Sequence, residues 1–92
     1  MPNLKHLYYY HVFAQELSIA KAAKRLSISS PALSNQLKQL DISLGMNLVK
    51  RAGAKFVLTE HGLMVQQYTN QMFTAYEALH LKLLRTKKEL RE

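Results

Sequence analysis

Cysteine is absent from the 92 residues. Its absence excludes a disulfide framework, a thiolate nucleophile and a cysteine-ligated zinc. Without such staples, so short a chain must hold its fold by packing or by association. No apolar run approaches the roughly 20 residues of a membrane-crossing helix. Tryptophan is missing too, and no basic helix has the Trp- or Phe-rich apolar face of a membrane-surface helix. The start, Met1-Pro2-Asn3-Leu4-Lys5-His6, lacks the basic, apolar and small-residue sequence of a signal peptide, so a reducing cytosol is the expected compartment. With 3 Gly and 2 Pro, the chain is neither collagen-like nor linker-like. Acid is also scarce. Only 6 Asp+Glu stand against 13 Lys+Arg, a net charge of +7. A small basic domain suits nucleic acid, an anionic membrane surface or an acidic protein.

The apolar residues that are present fall at helical spacing. Leu4, Leu7, Tyr8, Tyr10, Val12, Phe13 and Leu17 predict a first helix over about 4–16. Ser18 is a candidate N-cap for a short helix over about 19–26, carried by Ile19, Ala22, Ala23 and Leu26. Pro31 is tolerated only in a first turn, so a third helix begins at Ser29 or Ser30, with both serines competing for the cap. It runs through Leu33, Leu37, Leu40 and Leu44 to Gly45. Leu48-Val49-Lys50-Arg51 and Lys55-Phe56-Val57-Leu58 flank Ala52-Gly53-Ala54 and predict a β-hairpin. Thr59 then caps a last helix over about 60–90. Val65, Thr69, Met72, Tyr76, Leu79, Leu83, Thr86 and Leu90 recur along it at alternating gaps of four and three. That seam predicts a partner helix. Packing of the helix back onto its own domain stays open.

Two short helices joined by a tight turn, followed by a hairpin, make a winged helix-turn-helix. The physical logic suits DNA. The major groove admits one helix, whose N-terminal turns meet the base edges. The hairpin adds Lys50, Arg51 and Lys55 near phosphates or the adjacent minor groove.

Several patterns carry a closer likeness: Leu7-x-x-Tyr10-x-x-Phe13, Ala22-Ala23-x-x-Leu26, Ser29-x-Pro31-Ala32-Leu33-Ser34-x-Gln36-Leu37-x-x-Leu40-Asp41, Leu44-Gly45-x-x-Leu48-Val49-x-Arg51 and Leu58-Thr59-x-x-Gly62. Together they resemble the N-terminal domain of LysR-type transcriptional regulators. The likeness covers about 3–65 by motif and reaches about 90 through the long linker helix. Leu7-Tyr8-Tyr9-Tyr10 and Tyr68…Met72-Phe73-Thr74 look similar to the sodium/proton-antiporter activator branch. The resemblance implies a bacterial transcription factor. Such a protein reads an interrupted dyad of double-stranded DNA as a homodimer joined by the linker helix, often assembling further into a tetramer. A small-molecule effector would act through a separate C-terminal domain, absent from these residues. The family usually has Gln at Ser30, Arg at Asn35, Glu at Asp41, Phe at Val49 and Gly at Leu17. These departures bear on sequence preference rather than on fold.

The candidate DNA-contacting residues are Ser29, Ser30, Pro31, Ala32, Ser34, Asn35, Gln36 and Lys38 on the reading helix, with Lys50, Arg51 and Lys55 on the wing. Asn35 and Gln36 carry donor–acceptor pairs suited to base edges; otherwise they are solvent-facing polar residues. Pro31 and Ala32 suit a thymine methyl, Leu33 the core, and Lys38 a phosphate. Arg51 is either a phosphate contact or pinned to Asp41 or a backbone carbonyl. Lys55 is either a wing-tip contact or a solvated charge. Val65, Met72, Tyr76, Leu79 and Leu83 are the candidate dimer interface. His6, His11, His61 and His80 share no metal-ligand spacing, and no catalytic set is present, so neither a cofactor nor an enzyme is expected. Residues 82–92 carry five basic and two acidic residues on a helix pointing away from DNA.

The expected fold is therefore mainly α: a three-helix core with a hairpin wing over 1–59, and a linker helix over 60–92. The expected protein is the N-terminal part of a longer, cytoplasmic, nucleoid-associated regulator. A protein-interaction module and a nonspecific RNA-binding or nucleoid-type domain are the rival readings.

Overall fold

The computed structural model describes residues 1–91. The elements run α1 (Leu4–Glu16), α2 (Ile19–Leu26), α3 (Ser30–Leu44), β1 (Val49–Ala52), β2 (Lys55–Leu58) and α4 (Glu60–Arg91). The expected winged helix-turn-helix with a long last helix is present.

Local chemistry sets the boundaries. Asn3 caps α1 through its side chain, which accepts from the Lys5 N–H. Ser18 does the same for α2 from Lys21. Ser29 wins the competition for the α3 cap, accepting from the Ala32 N–H at 3.2 Å. Ser30 is thus the first helical residue, with Pro31 next in the turn, where a missing N–H costs little. Gly45, at φ 69°, closes α3. Leu17 closes α1 with φ 51°, a left-handed conformation that glycine adopts more readily. Thr59 caps α4, its hydroxyl accepting from the Gly62 N–H at 3.0 Å.

The hairpin starts one residue later than the sequence suggests. Val49 pairs with Leu58 and Ala52 with Lys55, so Ala52 belongs to the strand rather than to the turn. Leu48 is withheld from the ladder. Its side chain is fully buried, and its N–H goes to Asp41 of α3.

The core has two connected parts. In one, Val12 and Phe13 of α1 meet Ala22 and Ala23 of α2 and Leu33 of α3. Each alanine of the pair lets a neighbouring helix come close. In the other, Tyr10 and Ala14 meet Leu40 and Leu48, with Leu58 of the wing and Val65 of α4 against them. The wing leans on this body through Phe56, whose ring stands edge-on to Phe13 at 5.7 Å between centroids.

The last helix serves two purposes along its length. Its first turns pack inward: Val65 lies against the second core, Thr69 is buried, and Phe73 sits against Tyr8 at 5.1 Å and His11 at 5.0 Å. Met72, Tyr76, Leu79 and Leu83 are exposed. The molecule measures 56 × 24 × 19 Å, the long dimension reflecting this helix. No described helix is long and apolar enough to cross a membrane.

Candidate nucleic-acid interface

The reading helix divides cleanly around its axis. Leu33 and Leu40 are fully buried, and Leu37 and Leu44 pack against the core. At 100° per residue, the opposite face carries Pro31, Asn35, Lys38 and Ile42, all exposed. Ser30, Ala32 and Ser34 are exposed in the first turns. Ser29 is exposed but already employed as the cap. Gln36 is half-buried and stands toward the side of the helix, away from Asn35. Asn35 is therefore an open amide in the N-terminal half of α3, with Gln39 exposed one turn further on.

Between α3 and the wing lies a cleft of about 290 Å³. Its floor is apolar, built from Phe13, Leu37, Val49 and Phe56. Ser34, Lys38, Lys50 and Arg51 line it as well. Three cations from two elements thus converge on one groove. Lys55 stands apart at the hairpin tip, paired across from Ala52 and exposed.

Neither partner considered for Arg51 from sequence holds it. Its guanidinium lies over the Phe56 ring, 4.7 Å from the centroid. The only ion pair among the described residues is Arg25–Glu16, at 2.9 Å. Arg51 is thus steadied by stacking while its charge stays free for an anion. No alternation or motif announced this, although an aromatic opposite an arginine across a hairpin could have: Arg51 and Phe56 are register partners.

Charge around the cleft is one-sided. Between Leu17 and Thr59 stand seven Lys or Arg and a single acid, Asp41. Burial pushes the Asp41 carboxyl above the usual carboxylate range, and the Leu48 N–H pulls against that shift. Burial, and then the Asp41 charge, pushes the Tyr10 hydroxyl above the ordinary tyrosine range. Of the cations on α2, Arg25 is committed to Glu16 and Gln15 of α1.

Sequence reasoning missed Phe73 as the residue that seats α4 on α1. Its spacing from Thr69 and Gly62, four and eleven residues, marks the same helix face and was the available signal. Tyr8, Tyr10 and Phe73, part of the antiporter-branch likeness, all take part in packing α1 to the rest of the fold. Among the described residues, no three of His, Cys, Asp or Glu gather as a metal site.

A family model described as "Bacterial regulatory helix-turn-helix protein, lysR family" matches residues 4–63. Among curated proteins, the chain is similar to the HTH-type transcriptional regulator AlsR of Bacillus subtilis (strain 168). The identity is 44% over 60 residues, 65% of this chain and 20% of AlsR. It is also similar to the probable RuBisCO transcriptional regulator of Thalassiosira pseudonana, at 38% over 75 residues, 82% of this chain and 24% of that protein. The chain spans a quarter or less of these relatives' lengths. Among solved structures, the BenM DNA-binding domain in complex with catB site 1 DNA superposes with a TM-score of 0.82 at 30% identity, covering 91% of this chain and 94% of that one. Oxidised OxyR of Corynebacterium glutamicum superposes at 0.81 and 29% identity, covering 90% of this chain and 27% of that one.

Proposed function

The chain belongs to the lysR family of bacterial regulatory helix-turn-helix proteins, and from that premise we propose that it is the DNA-reading part of a transcription regulator. The observation that carries this reading is the cleft itself: Lys38, Lys50 and Arg51 line it beside a helix whose open face presents Pro31 and Asn35. The α3 helix enters the major groove. Asn35 offers its amide to a base edge, where adenine accepts and donates in the matching pattern. Pro31 and Ala32 supply apolar contact. Ser30 and Ser34 reach base or phosphate from the first turns, and Lys38, Lys50, Arg51 and Lys55 hold phosphates. Ser29 acts as the cap, and Gln36 supports from the side.

Two copies pair through Met72, Tyr76, Leu79 and Leu83 of α4, whereas Val65, expected in the same seam, packs against the body of its own chain. The boundary near 59/60 separates the reading head from the dimerising stalk. The exposed apolar stripe supports the pairing, since a lone helix would leave it wet. Two reading helices then meet successive major grooves about 34 Å apart. The whole protein works in the bacterial cytoplasm, at the nucleoid, and takes its small-molecule effector through a further domain. Tetramers form at that level.

Salt titration of duplex binding tests the reading. Four phosphate-facing cations per copy, in two copies, give a slope of log K against log salt near −7, at roughly −0.9 for each contact. Competition should favour duplex DNA over RNA of equal length. A slope near zero, or equal competition by RNA, contradicts it.

A further inference from the structure

A continuous hydrogen-bonded path joins the reading helix to the long helix, and the DNA-contacting role uses none of it. The path starts in the last turn of α3, where Asp41 Oδ1 accepts from the Leu48 N–H at 3.4 Å. The Leu48 carbonyl accepts from the Thr59 N–H at 3.0 Å. The Thr59 hydroxyl donates to the Asn47 carbonyl at 2.7 Å and accepts from the Gly62 N–H at 3.0 Å. The Gly62 carbonyl accepts from the Tyr10 hydroxyl of α1 at 2.7 Å. Tyr10 and Leu48 are buried, and so is Gly62. A Cβ at Gly62 would run into the Leu48 carbonyl and stand 2.9 Å from the Tyr10 hydroxyl. The path is tight at Gly62, and its Tyr10 end is buried, where a lost bond is not replaced by water.

We propose that Tyr10 and Asp41 are positioning residues whose hydrogen bonds fix the angle between α3 and α4, and so set the half-site spacing that a pair of chains accepts. The inference rests on the two-headed reading given above. Geometry gives it force. The long helix is seated on the body from Gly62 through Val65 and Thr69 to Phe73, a stretch about 16 Å long at 1.5 Å per residue. Beyond Phe73 about 27 Å of helix runs on to Arg91. With Phe73 as pivot, a 1 Å shift at Gly62 turns the helix by about 3.5° and moves its far end by about 1.6 Å. When that far stretch is held by a partner, the reading head turns instead, and the dyad doubles the change in angle between the two heads. One base step along a strand is about 3.4 Å, so ångström-scale slackening of the clasp acts on the scale over which half-site spacing is read.

The test uses an operator enriched from random DNA and a series in which its half-sites are moved apart or together by one and two base pairs. Binding of Tyr10→Phe, Asp41→Ala and Asp41→Asn is measured on each duplex and on a single half-site. The parent should prefer its own spacing by about tenfold over a one-base-pair change. Tyr10→Phe and Asp41→Ala should reduce that preference to about twofold, while Tyr10→Phe keeps single half-site affinity within about twofold. Asp41→Asn retains an acceptor for Leu48 and should keep the spacing preference, with affinity rising uniformly as one negative charge is lost. Tyr10→Phe removes only a hydroxyl and carries the test if Asp41→Ala fails to fold. An unchanged spacing profile in Tyr10→Phe overturns the proposal, as does equal loss on every duplex including the single half-site. A parent indifferent to spacing overturns the two-headed reading itself, which is a distinguishable result.

Discussion

In the proposed reading, Asn35 meets a base and Arg51 holds a phosphate, and the two roles can be told apart. Asn35 is exposed on the outward face of α3 and makes no hydrogen bond within the chain's described contacts that would occupy it. Asn35→Ala should flatten the preference between operator and scrambled duplex, by about 1–3 kcal/mol for a bidentate base contact, and leave nonspecific binding nearly intact. Arg51→Ala should instead weaken both duplexes together and lower the salt slope by about one. Competition anisotropy at several salt concentrations reads both. Equal losses for Asn35→Ala on the two duplexes would move it from base reading to phosphate contact. His11 supplies a pH dependence. It is buried between α1 and Phe73, its Nδ1 without a hydrogen-bond partner and its Nε2 3.3 Å from Gln15. Burial lowers its pKa below 6.5, Glu77 of α4 opposing and Arg25 of α2 reinforcing. The neutral ring is the folded form, so this contribution to stability is whole above pH 6.5 and fades as the pH falls below it. His11→Phe should flatten the denaturation midpoint between pH 7 and pH 5; an unchanged slope there would show that other groups set it. At this scale the sequence told which residues α3 turns outward, because 3.6-residue periodicity sorts a helix into faces. It did not tell what steadies Arg51, because that depends on a cross-strand ring rather than on a charge.

The elements were more legible than their contacts. Caps at Asn3, Ser18, Ser29 and Thr59 fix four helix starts by a purely local hydrogen bond, and local rules suffice for those. The seam on α4 was harder. A strict heptad drifts by about 20° per repeat around a straight helix. Val65 and Thr69, at its inner end, turn toward the core, whereas Leu79 and Leu83 turn to solvent. Pattern alone could not divide one stripe between two jobs. The entry of α4 gives a prediction that separates two glycines. At Gly45 a Cβ meets nothing within 4 Å, and only the left-handed backbone resists it. Gly45→Ala should therefore cost about 1 kcal/mol. At Gly62 a methyl meets the Leu48 backbone and Tyr10, so Gly62→Ala should cost several-fold more, about 3 kcal/mol. Urea denaturation measures both, and equal losses would mean that the α4 entry has room to move.

Taken whole, the chain is a small basic winged helix-turn-helix from which a long helix with one exposed apolar stripe runs out. The stalk's exposed stripe includes Tyr76 at 62%, Leu79 at 54% and Leu83 at 57%. A Leu79→Lys variant should sediment as one copy where the parent sediments as two. Its unfolding temperature at low protein concentration should change little, because the side chain is exposed within the chain itself. Charge divides in the same way. Seven cations and one acid surround the reading helix and wing between Leu17 and Thr59, while a second basic group lies far along the stalk. Net charge alone suited DNA, RNA or membrane. The arrangement of that charge beside an open reading helix is what favours a duplex. In the proposed function two such heads read one dyad. Repeated selection of bound duplexes from a random DNA pool decides this. Enrichment of a two-fold symmetric sequence bound by two copies, lost when Asn35 becomes alanine, is expected; a pool that stays random, or yields a single unpaired half-site bound by one copy, would contradict the two-headed reading.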